Sequence, residues 1–315
     1  MGPSAYPLHT SDGLRLQAKS GFRVFNTDVQ VTLADWQYGH VLPRVETYFR
    51  RFEARFSRFL TDSELSRFNR RAEPASPVSQ EMYDLLVCCR DFHRETGGIF
   101  NPLIIDNLEA AGYDTSFERL SSRNRPAKAR TAVPPSLDCL ELDPRRTIAA
   151  LPLGLRLDFG GIGKGYAVDQ AGSILAESGG FLLDAGGDIY AAGSGPQGEP
   201  WRIEVADPAA PDDSLDAVSL VDQAIATSWT TKRRWRAGDG WAHHLIDPRS
   251  GHPTDGRVIG ATVIAPDTTQ ADVFAKCSLI LGPEEGPAFL ESRAMHGLLV
   301  LADGSLIRTS GWPAD

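Results

Sequence analysis

Residues 156–188 read RLDFGGIGKGYAVDQAGSILAESGGFLLDAGGD, and this stretch decides how the rest of the chain is read. It predicts a strand, a glycine turn, a helix, a glycine stop, a second strand and a second glycine turn. Leu157 and Phe159 alternate with Asp158, as on a strand with one face inward. Gly160, Gly161, Gly163 and Gly165 permit a tight turn and close approach of a ligand. Tyr166, Val168, Ile174 and Leu175 supply apolar helix positions, and Gly179-Gly180 end the helix. A glycine turn feeding a helix presents amide groups and the positive end of the helix dipole to an anion. Lys164 adds a full charge there, and the second turn, Asp184-Ala185-Gly186-Gly187-Asp188, adds a further glycine loop.

Two common phosphate motifs do not match. A Walker loop would need Gly where Asp158 stands and Ser or Thr where Gly165 stands, and the dinucleotide fingerprint counted from Gly161 meets Tyr166. On the glycines alone, a purely structural turn is an equal alternative. Lys164 and the second turn favour a ligand site.

Upstream of this stretch, residues 20–33 alternate as a strand, through Phe22, Val24, Val29, Val31 and Leu33. Residues 35–60 carry apolar side chains at three- and four-residue steps, an amphipathic helix with Pro43 in its first turn and its arginines on a solvated face. Asp62 or Ser63 can cap a short helix, and Asn69 after it is a cap, a loop residue or a functional one. A helix follows over 79–96, then a polar surface excursion over 115–136 and a hairpin over 138–150. Downstream, strands are expected at 201–206, 217–226, 241–246 and 257–265. A helix over 269–281 is closed by Gly282-Pro283, a second runs to about residue 295, and a final hairpin turns at Asp303-Gly304. This is an α+β pattern: residues 1–20 as an N-terminal extension and 21–315 as one domain.

The 315 residues are 42% hydrophobic and carry a net charge of −9, which argues against a nucleic-acid surface. Cys88, Cys89, Cys139 and Cys277 have no metal-ligand spacing. No run reaches transmembrane length. The opening MGPSAYPLHTSDGLRLQ has neither an apolar signal core nor an early lipid-accepting Cys, so the expectation is a soluble cytoplasmic protein with no membrane partner.

Two further clusters carry chemistry. His243-His244-Leu245-Ile246-Asp247-Pro248-Arg249-Ser250-Gly251 places two histidines on opposite strand faces, so one of them can serve a site. A structural Asp-Pro-Arg-Ser-Gly turn is the plainer alternative. Asp272 and Lys276 stand one helical turn apart, and taken alone they are an ordinary i,i+4 pair.

Taken in order, FSRFLTDSELSRFN (56–69), LDFGGIGKGYAVD (157–169), LLDAGGDIYAAG (182–193), HHLIDPRSGHP (243–253) and TVIAPDTTQADVFAKCSLILG (262–282) resemble the motifs of the ApbE family, the FAD:protein FMN transferases. The likeness runs from about residue 22 to the C-terminus. It implies an α+β fold related to the T-fold, with a mixed sheet core and packed helices. It also implies an enzyme that uses FAD and Mg²⁺ to move FMN to a Ser/Thr hydroxyl of an acceptor flavoprotein, releasing AMP. Two alternatives are a pyrophosphatase that gives FMN and AMP, and a non-catalytic FAD-binding protein.

By this resemblance the cofactor-binding residues are Asn69, Asp158, Gly160, Gly161, Gly163, Lys164, Gly186, Gly187, Asp188, His244 and Asp247. The catalytic residues are His244 and Asp272, and the metal contacts are Gly163 and Asp272. Where the family has a metal-binding Thr, this chain has Lys276. Its ammonium is expected either to swing away or, the favoured outcome, to pair with Asp272. Asn26-Thr27-Asp28 and Phe100-Asn101-Pro102 also depart from the family pattern.

Overall fold

The computed structural model describes residues 17–120, 132–237 and 240–313. Eight strands lie side by side in chain order in one sheet: β1 (Ala18–Val24), β2 (Thr27–Leu33), β3 (Phe181–Ala185), β4 (Asp188–Ala192), β5 (Gln223–Trp229), β6 (Val258–Ala265), β7 (His296–Leu301) and β8 (Leu306–Arg308). Every neighbouring pair is antiparallel, so the sheet expected to be mixed runs antiparallel throughout. β1 begins inside the stretch read as an N-terminal extension.

Five helices matter to the site: α1 (Leu42–Phe56), α2 (Glu64–Asn69), α3 (Gln80–Glu95), α4 (Gly163–Leu175) and α5 (Thr268–Glu291). α1, α4 and α5 cover one sheet face, where Val45, Phe49, Phe52, Ala167, Leu183, Val263 and Phe274 share one core. A separate hairpin, Trp201–Ala206 with Ser214–Leu220, covers the other face through Ile203, Val205 and Val218 packed on Ile225, Ile264 and Leu298. The two-residue period of β5 divides its side chains accordingly, Ala224 and Ala226 toward Ala271 of α5 and Ile225 toward the hairpin.

The helix starts follow their capping residues. Ser63 accepts from the Ser66 amide at 3.0 Å, Ser79 from Met82 at 3.2 Å and Asp267 from Gln270 at 2.8 Å. Pro43 sits in the first turn of α1, as its fixed φ suits. α5 breaks at Gly282, with φ 88° and ψ −175°, where the Gly-Pro stop stands.

Five elements differ from expectation. The helix expected over 35–60 is a 3-10 turn at Trp36–Val41 followed by α1, which ends at Phe56, and the strand expected over 241–246 stops at His243, leaving His244 beyond it. Residues 20–33 form two strands, turning at Phe25 and Asn26 with φ of 53° and 56°, because the apolar alternation continues across the turn. Residues 217–226 likewise span two strands, broken at Asp222 with φ 51°. The segment 156–159 is extended and belongs to no sheet. Its inward residues, Leu157 and Phe159, are buried as the alternation predicts, yet Leu157 pairs its backbone with a side chain, described below. The polar excursion at 115–136 falls partly outside the described residues, as do residues 1–16 of the extension.

Candidate active site

A cavity of about 700 Å³ opens between the helical layer and the segments 56–60, 99–116 and 233–246. The glycine turn forms one wall. Asn69, Asp158, Gly160, Gly161, Gly163, Lys164, His244 and Lys276 all line it, so these expected residues do meet at one place.

Local chemistry explains how the turn is held. The Asn69 side chain acts as a surrogate strand: its Nδ2 donates to the Leu157 carbonyl at 2.9 Å and its Oδ1 accepts from the Leu157 amide at 2.8 Å. The Asp158 amide donates to the Pro102 carbonyl at 2.9 Å, and Asp158 Oδ1 accepts from the Gly160 amide at 2.6 Å. Asp158 also pairs at 3.0 Å with Arg58, whose side chain is only 7% exposed. None of Gly160, Gly161, Gly163 or Gly165 adopts a left-handed φ. At Gly165 the requirement is space, since a Cβ there would sit 2.6 Å from the Thr268 carbonyl oxygen. α4 and α5 therefore touch backbone to backbone, which brings Lys164 and Asp272 into one cluster.

Beneath the turn lie two buried carboxylates. Asp188 pairs with Lys164 and Asp272 with Lys276. Burial pushes the Asp188 carboxyl up to about 6, with the like charge of Asp272 adding to it against the pull of Lys164. Burial pulls the Lys164 ammonium down, but Asp188 and Asp272 outweigh it and the net shift is upward. Asp188 Oδ1 and Asp272 Oδ2 are buried without a hydrogen-bond partner. Across the cavity His244 is held neutral: burial drives its pKa well below 6.5, and Arg233, His243 and Lys276 reinforce this. Its Nδ1 is buried and unpartnered, a free acceptor for a proton.

Some expected residues stand back from the cavity wall. Gly186 and Gly187 make the β3–β4 turn with φ of 70° and 98°, and Gly186 packs against Thr27 of β2. Asp247 closes its own turn, accepting from the Arg249 amide at 2.8 Å and pairing with the Arg249 guanidinium at 2.9 Å. Asp188 and Asp272 lie behind the wall, paired with the two lysines.

As a Mg²⁺ site the cluster fits in one respect, its two orphaned carboxylate oxygens. It fails in another, because the Lys276 ammonium sits on Asp272 where the ion is expected. Among the described residues no group of three or more His, Cys, Asp or Glu side chains is arranged to hold a metal. No helix among them is long and apolar enough to cross a membrane.

Sequence reasoning missed several wall residues. The helical pattern puts Arg58 on the solvated face of α1, yet it lies just beyond that helix, stacked 4.3 Å from the centroid of the Phe59 ring and 4.8 Å from that of Tyr113. Arg233 also lines the cavity, and Tyr113 stacks on Trp235 at 5.3 Å. The sequence cue for Arg58 is its place in the Phe56-Ser57-Arg58-Phe59 run, just before the segment that leads to the Ser63 cap of α2.

The model of the ApbE family matches residues 25–300. Among curated proteins, an FAD:protein FMN transferase of Klebsiella pneumoniae is 24% identical over 261 residues, 80% of this chain and 74% of that one. Another from Treponema pallidum is 26% identical over 294 residues, 86% of this chain and 79% of that one. Among solved structures, an ApbE protein from Thermotoga maritima superposes with a TM-score of 0.84 at 25% identity, covering 93% of this chain and 97% of its own.

Proposed function

This chain belongs to the ApbE family, and from that premise we propose that it is an FAD:protein FMN transferase. The observation that carries the proposal is the convergence of the glycine turn, Lys164 and a neutral His244 on a single cavity. A pyrophosphate laid along the turn would meet Lys164 and Arg233, both able to make charge-assisted hydrogen bonds. Asn69 and Asp158 hold the turn in shape from behind.

In the reaction proposed, a Ser or Thr hydroxyl of an acceptor flavoprotein attacks the phosphorus on the FMN side. The new bond is hydroxyl oxygen to phosphorus, the phosphoanhydride bond breaks, and AMP leaves. His244 Nδ1 is the group suited to take the hydroxyl proton, because burial keeps the ring neutral and that nitrogen unpartnered. The side chains as they stand do not fit Mg²⁺, so no step is assigned to the ion.

Incubation of the protein with FAD and a candidate acceptor, followed by intact mass and nucleotide analysis, tests this. One FMN gained by the acceptor with one AMP released is the expected result. AMP with free FMN would identify a pyrophosphatase, and FAD bound without turnover would identify a carrier.

A further inference from the structure

Two lysines neutralise two buried aspartates at this site, and the second pair has a consequence for the metal. Lys276 lies on α5 one turn after Asp272, and its ammonium is held by both the carboxylate and the carbonyl oxygen of that residue, the latter at 3.3 Å. Its stem runs beside the glycine turn, with Cδ and Cε 3.8 Å and 4.0 Å from where a Gly161 side chain would begin. Lys276 keeps 13% of its side chain exposed on the cavity wall, while Asp272 beneath it keeps 2%.

The formal charges of Lys164, Asp188, Asp272 and Lys276 sum to zero. An ammonium group is a donor only and offers no lone pair to a metal. Mg²⁺ requires near-octahedral oxygen ligands at about 2.0–2.1 Å. An ion drawn to the free Asp272 oxygen would therefore find the neighbouring position filled by a like charge, in a buried setting where that repulsion is poorly screened.

We infer that Lys276 is the resident counter-cation of this site, standing in place of a divalent ion, so that the chain binds FAD without metal. The FAD half of the inference rests on the proposed function; the exclusion of Mg²⁺ does not.

The full chain is titrated by calorimetry with Mg²⁺ alone, and with FAD in EDTA or in excess Mg²⁺. Wild type is expected to give no Mg²⁺ binding and an FAD affinity that differs less than about twofold between the two buffers. Lys276→Thr is expected to bind Mg²⁺ and to make FAD affinity metal-dependent by about tenfold or more. Mg²⁺ binding by wild type in the millimolar range, or FAD affinity that collapses in EDTA, overturns the inference. If neither protein binds FAD but only Lys276→Thr takes up Mg²⁺, the transferase reading falls and the counter-cation role stands. Circular dichroism checks the variant's fold, and should it fail to fold the wild-type titrations decide.

Discussion

Asp169 on α4 caps the helix that carries Asp272: its carboxylate accepts the backbone amides of Thr268 and Thr269, each at 2.8 Å, together with the Thr269 hydroxyl. The cap crosses between two helices that touch at Gly165, so it fixes the start of α5 relative to the glycine turn. Asp169→Ala would leave those amides buried and unpaired, at about 1–3 kcal/mol. The expected outcome is a lower melting temperature together with weaker FAD binding. Unchanged FAD affinity in the folded variant would show that α5 keeps its position without the cap.

Asn69 supplies both hydrogen bonds that a neighbouring strand would give Leu157. Asn69→Ala removes both, a loss of roughly 1–3 kcal/mol by ordinary hydrogen-bond values. Asn69→Asp keeps the acceptor but sets a carboxylate oxygen against the Leu157 carbonyl oxygen, so at neutral pH its melting temperature should fall at least as far as that of Asn69→Ala. Equal stability in all three proteins would mean the turn is held by other contacts.

Lys164 and Asp188 form a buried pair whose members cannot be removed singly without penalty. Lys164→Met leaves Asp188 uncompensated and should destabilise the fold by about 3–5 kcal/mol. Lys164→Met combined with Asp188→Asn should recover most of that loss, yet still bind FAD poorly for want of the ammonium. Urea denaturation and FAD titration separate the two effects. A double variant no more stable than the single one would contradict the pairing.

His243 and His244 differ in role and in their response to pH. Burial holds the His243 pKa at about 4 rather than 6.5, so the unfolded chain binds a proton that the folded chain refuses. Stability is therefore lost as pH falls from 6.5 toward 4, by about 3 kcal/mol from this residue. Asp188, raised to about 6, acts in the opposite sense, since it holds its proton longer in the folded state. The difference between wild type and His243→Gln isolates the histidine, and the variant should show a flatter loss of stability toward acid. His244→Ala, by contrast, should abolish turnover in a protein that still folds, and its melting temperature should fall only by the loss of the ring's one hydrogen bond, to the Arg233 backbone, since Nδ1 has no partner. Parallel melting curves for wild type and His243→Gln between pH 7 and pH 4 would refute the first part, and retained turnover in His244→Ala the second.

Much of this architecture was legible in the sequence where a single local rule decides. Ser63, Ser79 and Asp303-Gly304 mark their caps and turn, and Gly282-Pro283 marks the break in α5. The family likeness brought together residues as far apart as Asn69 and Lys276. What stayed hidden depended on partners distant in sequence. The alternation of Leu157, Asp158 and Phe159 is that of a strand, but a side chain does the pairing. Phe25-Asn26 carries no Gly or Pro, so its left-handed turn left the apolar pattern intact. Arg58 belongs to an arginine-rich run, and its burial follows from Asp158, a hundred residues later. Gly186 and Asp247 carry motif identity, yet their geometry serves turns outside the cavity wall.

The side-by-side order of the eight strands hides one long excursion. Val29 of β2 pairs with Ala185 of β3, so the first hairpin waits roughly 150 residues for its neighbour, and closing so large a loop is entropically costly. At about 5–20 residues per second the ribosome needs roughly seven to thirty seconds to deliver that partner. During that interval β2 presents Val29, Val31 and Leu33 on an open edge, which is the kind of surface a holdase chaperone shields and another nascent chain can capture. The insertion that furnishes most of the cavity wall thus makes the emerging N-terminal half the vulnerable stage of biogenesis, and slow translation before residue 181 would lengthen it.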